Sequence, residues 1–210
     1  MRAIVAFAAV LCTVALHAQN PTRVACVGDS ITYGSQIEGR ESNSYPAVLQ
    51  RLLGDKFKVR NFGVSGMTLL TKGDKPYWSN GIFKEATDFK PDVVVIKLGT
   101  NDSKPQNRTN ITEFATDLTG LVDHFSAIET KPRIYLCLPV PVFQTLSGIN
   151  EASVAGEIIP AIKKVAAEKK LPMIDLHTAF SGKPLLFPDG VHPDAAGAKA
   201  IAETVYAAIR

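Results

Sequence analysis

Short apolar runs rich in β-branched residues recur along this chain, and amphipathic helical patterns separate them. Each run is bounded by Gly, Pro, Asn or Asp, as is typical of buried parallel strands. The predicted strands are residues 23–28, 57–62, 93–98, 133–138 and 172–176. Because strands that alternate with helices form a parallel sheet covered on both faces, the sequence predicts an α/β fold with three α/β/α layers.

The segments between these strands space their apolar residues as helices do. The predicted helices are residues 46–53, 78–89, 111–125 and 151–169, with a last helix that opens on Pro193. Asn110 and Glu113 are expected to cap the third helix as a reciprocal pair. Pro160 is expected to kink or split the fourth, because proline removes a backbone donor from the helix interior.

Five strands with helical crossovers favour a flavodoxin-like sandwich with a parallel sheet of order 2-1-3-4-5. In such sheets ligands bind beyond the carboxyl ends of the strands, where the winding reverses between the first and third strands. A functional site is therefore expected in the loops that follow Gly28 and Leu98.

The first 18 residues have the layout of a secretory signal peptide. One basic residue, Arg2, precedes an apolar run over residues 3–16, and small or polar residues follow up to Ala18. The run is too short to span a membrane comfortably, and a buried first helix is the alternative. We expect cleavage after Ala18, a secreted or periplasmic protein with no membrane span, and a single domain over residues 19–210.

The composition, 46% hydrophobic and 20% charged, suits one globular domain of this length. The net charge is only +3 and the basic residues are scattered, so nucleic acid is not an expected partner. Composition leaves the oligomeric state open.

Removal of the signal would take Cys12 and leave Cys26 and Cys137, each inside an apolar strand. The predicted sheet order places another strand between them, so both are expected to be free, buried thiols. The chain has no Cys/His spacing typical of a metal site, and neither a metal nor a cofactor is expected.

Polar or Gly-rich clusters fall at the predicted carboxyl edge of the sheet. They are GDSITYG after the first strand, NFGVSGMT after the second, LGTNDSKPQN after the third and FPDGVHPDAAG before the last helix. Ser30 in the first cluster is a candidate nucleophile. A serine hydroxyl needs a base to take its proton and a third group to orient that base.

Outside the predicted signal, the sequence offers three histidines as that base. His124 falls late in an amphipathic helix and is expected to be a solvated surface residue. His177 follows the fifth strand and could reach the edge of the sheet. His192 has the best context, because it precedes Pro193 at the expected start of the last helix, where the helix dipole favours a neutral ring.

Asp189 precedes His192 by three residues in DGVH and can accept a hydrogen bond from the other ring nitrogen. Gly190 allows the tight turn between them. The intermediate of acyl transfer also needs donors for its oxyanion, and the Ser30 N–H, the Gly66 N–H and the Asn101 side chain are candidates. A simple Asx-turn is the alternative reading of Asn101.

These clusters resemble, in order, the four blocks of the SGNH hydrolases, also called the GDSL esterase/lipase family. The resemblance covers residues 23–210. It implies that Ser30 is the nucleophile, His192 the base and Asp189 its orienting carboxylate. It also implies an oxyanion hole formed by the Ser30 N–H, the Gly66 N–H and the Asn101 amide, with no cofactor.

Exported relatives of this kind include bacterial carbohydrate O-acetylesterases, among them sialate O-acetylesterase-like enzymes, so we expect hydrolysis of acetyl esters on a small or oligosaccharide substrate. Tyr77, Trp78 and Gln144 are candidate substrate contacts. The two aromatic residues could instead start a helix and pack inward. A lipid-directed esterase, lysophospholipase or thioesterase is the alternative function, and a non-catalytic carbohydrate-binding module is a second.

Overall fold

The structure, a computed structural model, describes residues 20–210. The predicted signal peptide, its cleavage after Ala18, Cys12 and the first residue of the predicted domain lie outside the described residues. No helix within residues 20–210 combines the length and the apolar character needed to cross a bilayer.

Five parallel strands form one sheet of order β2-β1-β3-β4-β5, which confirms the predicted topology. The strands are β1 Thr22–Gly28, β2 Phe57–Gly63, β3 Val93–Lys97, β4 Arg133–Leu138 and β5 Met173–Asp175. In the register, Val24 of β1 pairs with Val93 of β3 on one side and with Val59 of β2 on the other. The winding reverses between β1 and β3, so the loops that follow these two strands lie next to each other at the carboxyl edge of the sheet.

Helices cover both faces of the sheet. They are α1 Ser30–Tyr33, α2 Arg40–Asn43, α3 Tyr45–Leu53, α4 Gly81–Asp88, α5 Pro105–Arg108, α6 Phe114–Ser126, α7 Glu151–Ser153, α8 Ile159–Lys169, α9 Leu176–Phe180 and α10 Ala195–Ile209. Single 3₁₀ turns occupy Tyr77–Ser79, Asn101–Ser103, Ile111–Glu113 and Pro184–Leu186, and a π-helical turn occupies Val154–Ile158. The π-helical turn ends just before α8, which has Pro160 near its start, so the predicted interruption of this helix is confirmed.

The predicted helix over residues 78–89 is divided: a 3₁₀ turn comes first, and α4 begins after Asn80, whose side chain accepts a hydrogen bond from the Ile82 N–H. The capping pair predicted for α6 is wrong. Asn110 donates to the Lys72 carbonyl oxygen, and Glu113 forms an ion pair with the Lys72 ammonium at 2.7 Å. Both side chains therefore interact with Lys72, which is distant in the sequence, and not with the N-terminus of the helix.

The last helix begins two residues later than predicted. Asp194 caps it by accepting a hydrogen bond from the Gly197 N–H at 2.8 Å, and Ala195 is its first residue. His192 therefore lies before the cap rather than in the first turn, and the dipole argument for its neutral ring loses its basis.

Alternate residues of the central strands enter two apolar cores. On β1, Ala25 and Val27 face one core, whereas Val24 and Cys26 face the other. The first core includes Phe62, Phe114 and Phe125, and the second includes Tyr45, Phe180 and Phe187. Burial on both faces explains why these strands read as continuous apolar runs.

Cys26 and Cys137 are free and buried in the second core, as predicted. They lie on β1 and β4, which β3 separates. Burial raises the pKa of both thiols to about 12.

The expectation that His124 is a solvated surface residue is wrong. Its Nε2 lies 2.9 Å from Thr87 Oγ1, and its ring centroid lies 4.5 Å from that of Phe83. The side chain is half-buried, and this burial lowers its pKa.

Candidate active site

Ser30 stands at the point where β1 gives way to α1. Gly28 ends the strand, and the Asp29 carboxylate caps the short helix by accepting from the Ile31 N–H at 3.0 Å. A Cβ on Gly28 would lie 2.0 Å from Thr32 Oγ1, so only glycine permits this tight turn. The turn leaves Ser30 as the first residue of α1, buried except for a small part that opens to a cleft.

Ser30, His192 and Asp189 form one continuous hydrogen-bonded chain. The Ser30 Oγ lies 2.8 Å from His192 Nε2, and His192 Nδ1 lies 2.6 Å from Asp189 Oδ2. The other carboxylate oxygen, Oδ1, accepts from the backbone N–H groups of Val191 and His192 at 2.9 and 2.7 Å. Gly190 makes this turn with φ +82°, in the left-handed region that favours glycine.

These bonds keep the Asp189 carboxyl ionised. Partial burial alone would raise its pKa, but the hydrogen bonds from the His192 backbone and ring and from the Val191 N–H lower the pKa below its ordinary value. A fixed carboxylate at Nδ1 holds the imidazole with Nε2 directed at Ser30, which is the arrangement a general base needs.

Gln36 is a residue that the sequence analysis missed. Its Nε2 donates to Asp189 Oδ2 at 2.8 Å and lies 3.4 Å from His192 Nδ1. Its backbone has φ +66°, which is uncommon for a residue with a side chain and is often found where a local fold serves a site. The two partners are 153 residues apart in the sequence, and no local pattern indicates their contact.

Gly66 and Asn101 meet Ser30 and His192 in one open cleft of about 330 Å³. Gly66 has φ +85°, and Asn101 lies in the 3₁₀ turn that follows β3. The Asn101 Nδ2 donates to the Met67 carbonyl oxygen at 3.1 Å, which uses one of its two N–H bonds. Among the described residues, the N–H groups of Ser30 and Gly66 have no protein acceptor. The three candidate oxyanion donors therefore belong to residues that line the same cleft.

Asp102 holds the backbone next to Gly66. Its carboxylate is fully buried and accepts from the Leu69 and Leu70 N–H groups at 3.1 and 2.8 Å. Burial raises its pKa to about 7, although these backbone hydrogen bonds oppose the rise. Asp102 thus fixes the segment after β2 to the loop after β3.

Asp29, which adjoins the serine, is not part of the triad geometry. It forms a fully buried ion pair with Lys97, whose Nζ lies 3.1 Å from Asp29 Oδ2 and donates to Thr100 Oγ1 at 2.8 Å. The pair joins the ends of β1 and β3 beneath Ser30. The sequence analysis missed Lys97, and its one signal is a single charge in the apolar run VVVIKLG.

His177, the other candidate base, lies in a different pair. Its Nε2 is 2.7 Å from Glu151 Oε1, and the second oxygen of Glu151 accepts from the Val142 N–H at 2.7 Å. The structure brings His192, and not His177, to Ser30.

The predicted substrate contacts at Tyr77 and Trp78 are wrong, and the alternative of inward packing is confirmed. Tyr77 is fully buried and donates to the Phe62 carbonyl oxygen at 2.8 Å. The Trp78 Nε1–H donates to the Leu69 carbonyl oxygen at 3.0 Å, and its ring packs on Phe83. A bridge between Thr68 and Pro76 turns this loop toward the core.

Gln144 is exposed, as expected, but it is not among the side chains that line the cleft. Its backbone N would lie 2.6 Å from a Cβ on Gly190, so it packs against the turn between Asp189 and His192. Within residues 20–210, no three His, Cys, Asp or Glu side chains are grouped as metal ligands would be.

Residues 26–200 match the model of the GDSL-like lipase/acylhydrolase family. The chain belongs to this family. Membership confirms the expected SGNH/GDSL relationship. The roles of the individual site residues rest on the geometry above.

The chain is 42% identical to an acetylxylan esterase from Xylanibacter ruminicola in an alignment 210 positions long, which covers 91% of this chain. The chain spans 44% of the length of that relative. Two solved structures, each covering 90% of this chain, have the same fold. They are Est24, a carbohydrate acetylesterase from Sinorhizobium meliloti (TM-score 0.74, 19% identity, 98% of that chain), and the aryl esterase of M. smegmatis (TM-score 0.73, 23% identity, 98% of that chain).

Proposed function

We propose that this GDSL-like acylhydrolase removes acetyl groups from carbohydrates through a covalent acetyl-enzyme on Ser30. The single observation that carries the proposal is the path from Asp189 Oδ2 through the His192 ring to Ser30 Oγ, with links of 2.6 and 2.8 Å. A serine hydroxyl placed on an oriented imidazole is an activated nucleophile. Its position beside three candidate oxyanion donors favours acyl transfer.

In the first half-reaction, the Ser30 Oγ forms a bond to the acetyl carbon while its proton passes to His192 Nε2. The carbonyl oxygen becomes an oxyanion and accepts from the Ser30 N–H, the Gly66 N–H and the Asn101 Nδ2. The bond to the sugar oxygen then breaks, and that oxygen takes the proton from His192 Nε2. The sugar leaves as an alcohol, and Ser30 retains the acetyl group.

In the second half-reaction, water attacks the acetyl carbon and gives a proton to His192 Nε2. The bond to Ser30 Oγ breaks, the serine recovers the proton from His192, and acetic acid leaves. Asp189 stays ionised throughout and stabilises the transient imidazolium.

Two observations support an acetylated carbohydrate as the substrate. The relative of 42% identity is named an acetylxylan esterase. The cleft is open, and most of the residues that line it have polar side chains, among them Ser35, Ser65 and Ser147, whereas Leu146 and Ile149 are its only apolar residues. Such walls suit the hydroxyls of a sugar better than a long acyl chain.

We also propose that the protein is exported, on the basis of the signal-like sequence of residues 1–18. Expression in a bacterial host followed by N-terminal sequencing of the exported product tests this. A mature chain that begins at Gln19 is expected, and retention of the first 18 residues in an unexported product would contradict the proposal.

The proposed function is tested by acetate release from acetylated xylan, comparing the native chain with Ser30→Ala. The variant is expected to lose turnover while its circular dichroism spectrum is unchanged, and a fluorophosphonate probe is expected to label only the native serine. Turnover of Ser30→Ala at the native rate would refute the mechanism. A native chain with neither turnover nor labelling would instead indicate a non-catalytic binding module.

A series of p-nitrophenyl esters from acetate to octanoate distinguishes the lipid-directed alternative. Activity is expected to fall as the chain lengthens, because the cleft offers only two apolar side chains. A rise toward octanoate would favour a lipid-directed esterase or thioesterase.

A further inference from the structure

The cleft beside Ser30 is unequally charged. Lys75 and Lys104 line it, and no Asp or Glu does so within the described part of the chain. The ion pair of Asp29 and Lys97 is fully buried and separate from the lining. A substrate that enters the cleft therefore meets two ammonium groups near the reacting serine.

Lys75 is held next to a candidate oxyanion donor. Its carbonyl oxygen accepts from the Thr68 N–H at 2.8 Å, so its backbone is tied to the segment that carries Gly66. A Cβ placed on Gly66 would lie 3.2 Å from Lys75 Cδ and 3.5 Å from Lys75 Nζ. Among residues 20–210, no carboxylate lies within 4.0 Å of this ammonium. Lys75 thus has a backbone that is held in place and an exposed ammonium with no close ion-pair partner, although its charge contributes to the lowered pKa of Asp74.

Lys104 presents its charge differently. Its side chain is only 14% exposed, and its Nζ is 3.9 Å from Asp74 Oδ2, too far for a hydrogen bond. The Asp74 carboxylate accepts instead from Gln106 Nε2 and Asn107 Nδ2, each at 3.0 Å. Every buried side-chain N or O atom of the described residues has a hydrogen-bond partner, and Lys104 Nζ has none, so this atom must reach solvent. Because Lys104 lines the cleft, its ammonium opens there.

We infer that the acetyl ester taken by this cleft belongs to a saccharide that also carries a carboxylate, as a uronic acid unit does. The inference rests on the proposed function, since it places the sugar beside an acetyl group on Ser30. Lys75 and Lys104 pair with the carboxylate. The Ser35 and Ser65 hydroxyls, which are hydrogen-bonded to each other at 2.5 Å, keep acceptor positions for the sugar hydroxyls. A carboxylate gains charge-assisted hydrogen bonds from ammonium groups, whereas a neutral sugar gains only ordinary ones.

The test uses three substrates acetylated at O2, O3 and O4 that differ only at C6: methyl glucoside, methyl glucuronoside and the methyl ester of that glucuronoside. The second alone is charged, and the third has nearly its shape. Acetate release gives kcat/KM for each. The anionic substrate is expected to exceed both neutral ones by about 10-fold at low ionic strength, and the advantage is expected to shrink in high salt, which screens exposed charges.

Lys75→Met and Lys104→Met remove the charge and keep most of the apolar stem. Each is expected to reduce the ratio of anionic to neutral kcat/KM by roughly 3-fold, within the range of one solvent-accessible ion pair, mainly through KM for the glucuronoside. Lys72→Met is the matched control. It removes a lysine of the same loop whose ammonium is bonded to Glu113 and does not line the cleft.

The possible results separate this inference from the proposed function. Equal kcat/KM for the three substrates, unaffected by the lysine variants, would overturn the inference and leave acetyl-ester hydrolysis intact. A kcat loss of equal size on all three substrates in Lys75→Met would also overturn it, because that lysine would then act on the oxyanion. Release of no acetate from any substrate would refute the proposed function and the inference with it.

Discussion

Two histidine–carboxylate pairs within residues 20–210 have nearly the same nitrogen–oxygen distance. His192 Nδ1 lies 2.6 Å from Asp189 Oδ2, and His177 Nε2 lies 2.7 Å from Glu151 Oε1. The second ring nitrogen of His192 faces the Ser30 hydroxyl, whereas the second nitrogen of His177 has no hydrogen-bond partner among residues 20–210. A histidine–carboxylate pair alone therefore does not identify a base. His192 is the candidate base because its second ring nitrogen faces a serine hydroxyl, which that of His177 does not.

The two carboxylates also differ in the groups that they contact besides the histidine. Besides His192 and Gln36, Asp189 accepts from two N–H groups of its own turn, so its bonds hold the carboxylate that orients His192. Glu151 accepts from the Val142 N–H and thereby fastens the segment after β4, which supplies Leu146 and Ile149 to the cleft wall. We therefore assign the pair of His177 and Glu151 a structural role in holding this wall.

The largest difference in kcat is expected between alanine variants of the two histidines. His192→Ala removes the proposed base, and kcat on p-nitrophenyl acetate is expected to fall by about 10⁵-fold or more. His177→Ala, its matched counterpart, is expected to keep kcat within about 3-fold, because the Nδ1 of His177 has no nucleophile to serve. Equal losses in the two variants would contradict the assignment of the base.

The carboxylates give the next comparison. Asp189→Asn is expected to lower kcat by about 10⁴-fold, because the amide would favour the wrong imidazole tautomer. Glu151→Gln is expected to be nearly silent, since its amide can still accept from the Val142 N–H. Steady-state kinetics on the same ester measure both, and a deep loss of kcat in Glu151→Gln would show that the second pair takes part in catalysis.

Gln36 contacts only the first pair, and we interpret it as a positioning residue. Gln36→Ala is expected to lower kcat/KM by about 5-fold, the effect of one lost hydrogen bond. Because Asp189 Oδ2 is then left to the imidazolium alone, the acid limb of the pH profile is expected to move to higher pH.

Gln106→Ala is the control for Gln36, since Gln106 is an exposed glutamine that also donates to an aspartate, Asp74, outside the triad. It is expected to leave the pH profile where it is. A Gln36→Ala profile that is lower but not displaced would argue against positioning.

The smallest expected effect is on stability. The pKa of Asp189 is lowered in the folded protein, so this group contributes stability that is fully present above the unfolded carboxyl pKa of about 4. That contribution is lost as the pH falls through the lower, folded value. Urea unfolding is expected to show a constant difference between the native chain and Asp189→Asn from pH 8 to pH 5, which shrinks below pH 4. A difference that grows in acid would contradict the direction of the shift.

The position of the site could be predicted because it depends on features with short-range signals. Apolar runs predicted the strands, and the rule for winding reversal placed the site after β1 and β3. Ser30, Asp189 and His192 follow from residue type and from the glycines beside them. Gly66 and Asn101 reach the same cleft because their loops follow β2 and β3, the two strands that flank β1.

Most of the wrong predictions share a cause, which is that the outcome depended on partners from other segments of the chain, whereas the start of the last helix was decided locally by the Asp194 cap. The aromatic residues Tyr77 and Trp78 could have lined the substrate site or packed into the core. The bridge between Thr68 and Pro76 turns their loop toward the core. Lys97 was visible as an isolated charge among apolar residues. A buried lysine requires a carboxylate, and that requirement could have pointed to Asp29.

The two buried cysteines allow local opening of the central sheet to be measured directly. Cys26 and Cys137 are at most 2% exposed, and burial raises the pKa of each thiol to about 12, so almost no reactive thiolate is present in the closed state. An alkylating reagent can reach them only when β1 or β4 separates from its neighbours. Peptide mapping would give the alkylation rate of each cysteine separately. These two rates report how often the sheet opens locally on either side of β3, and no probe has to be introduced into the native sequence.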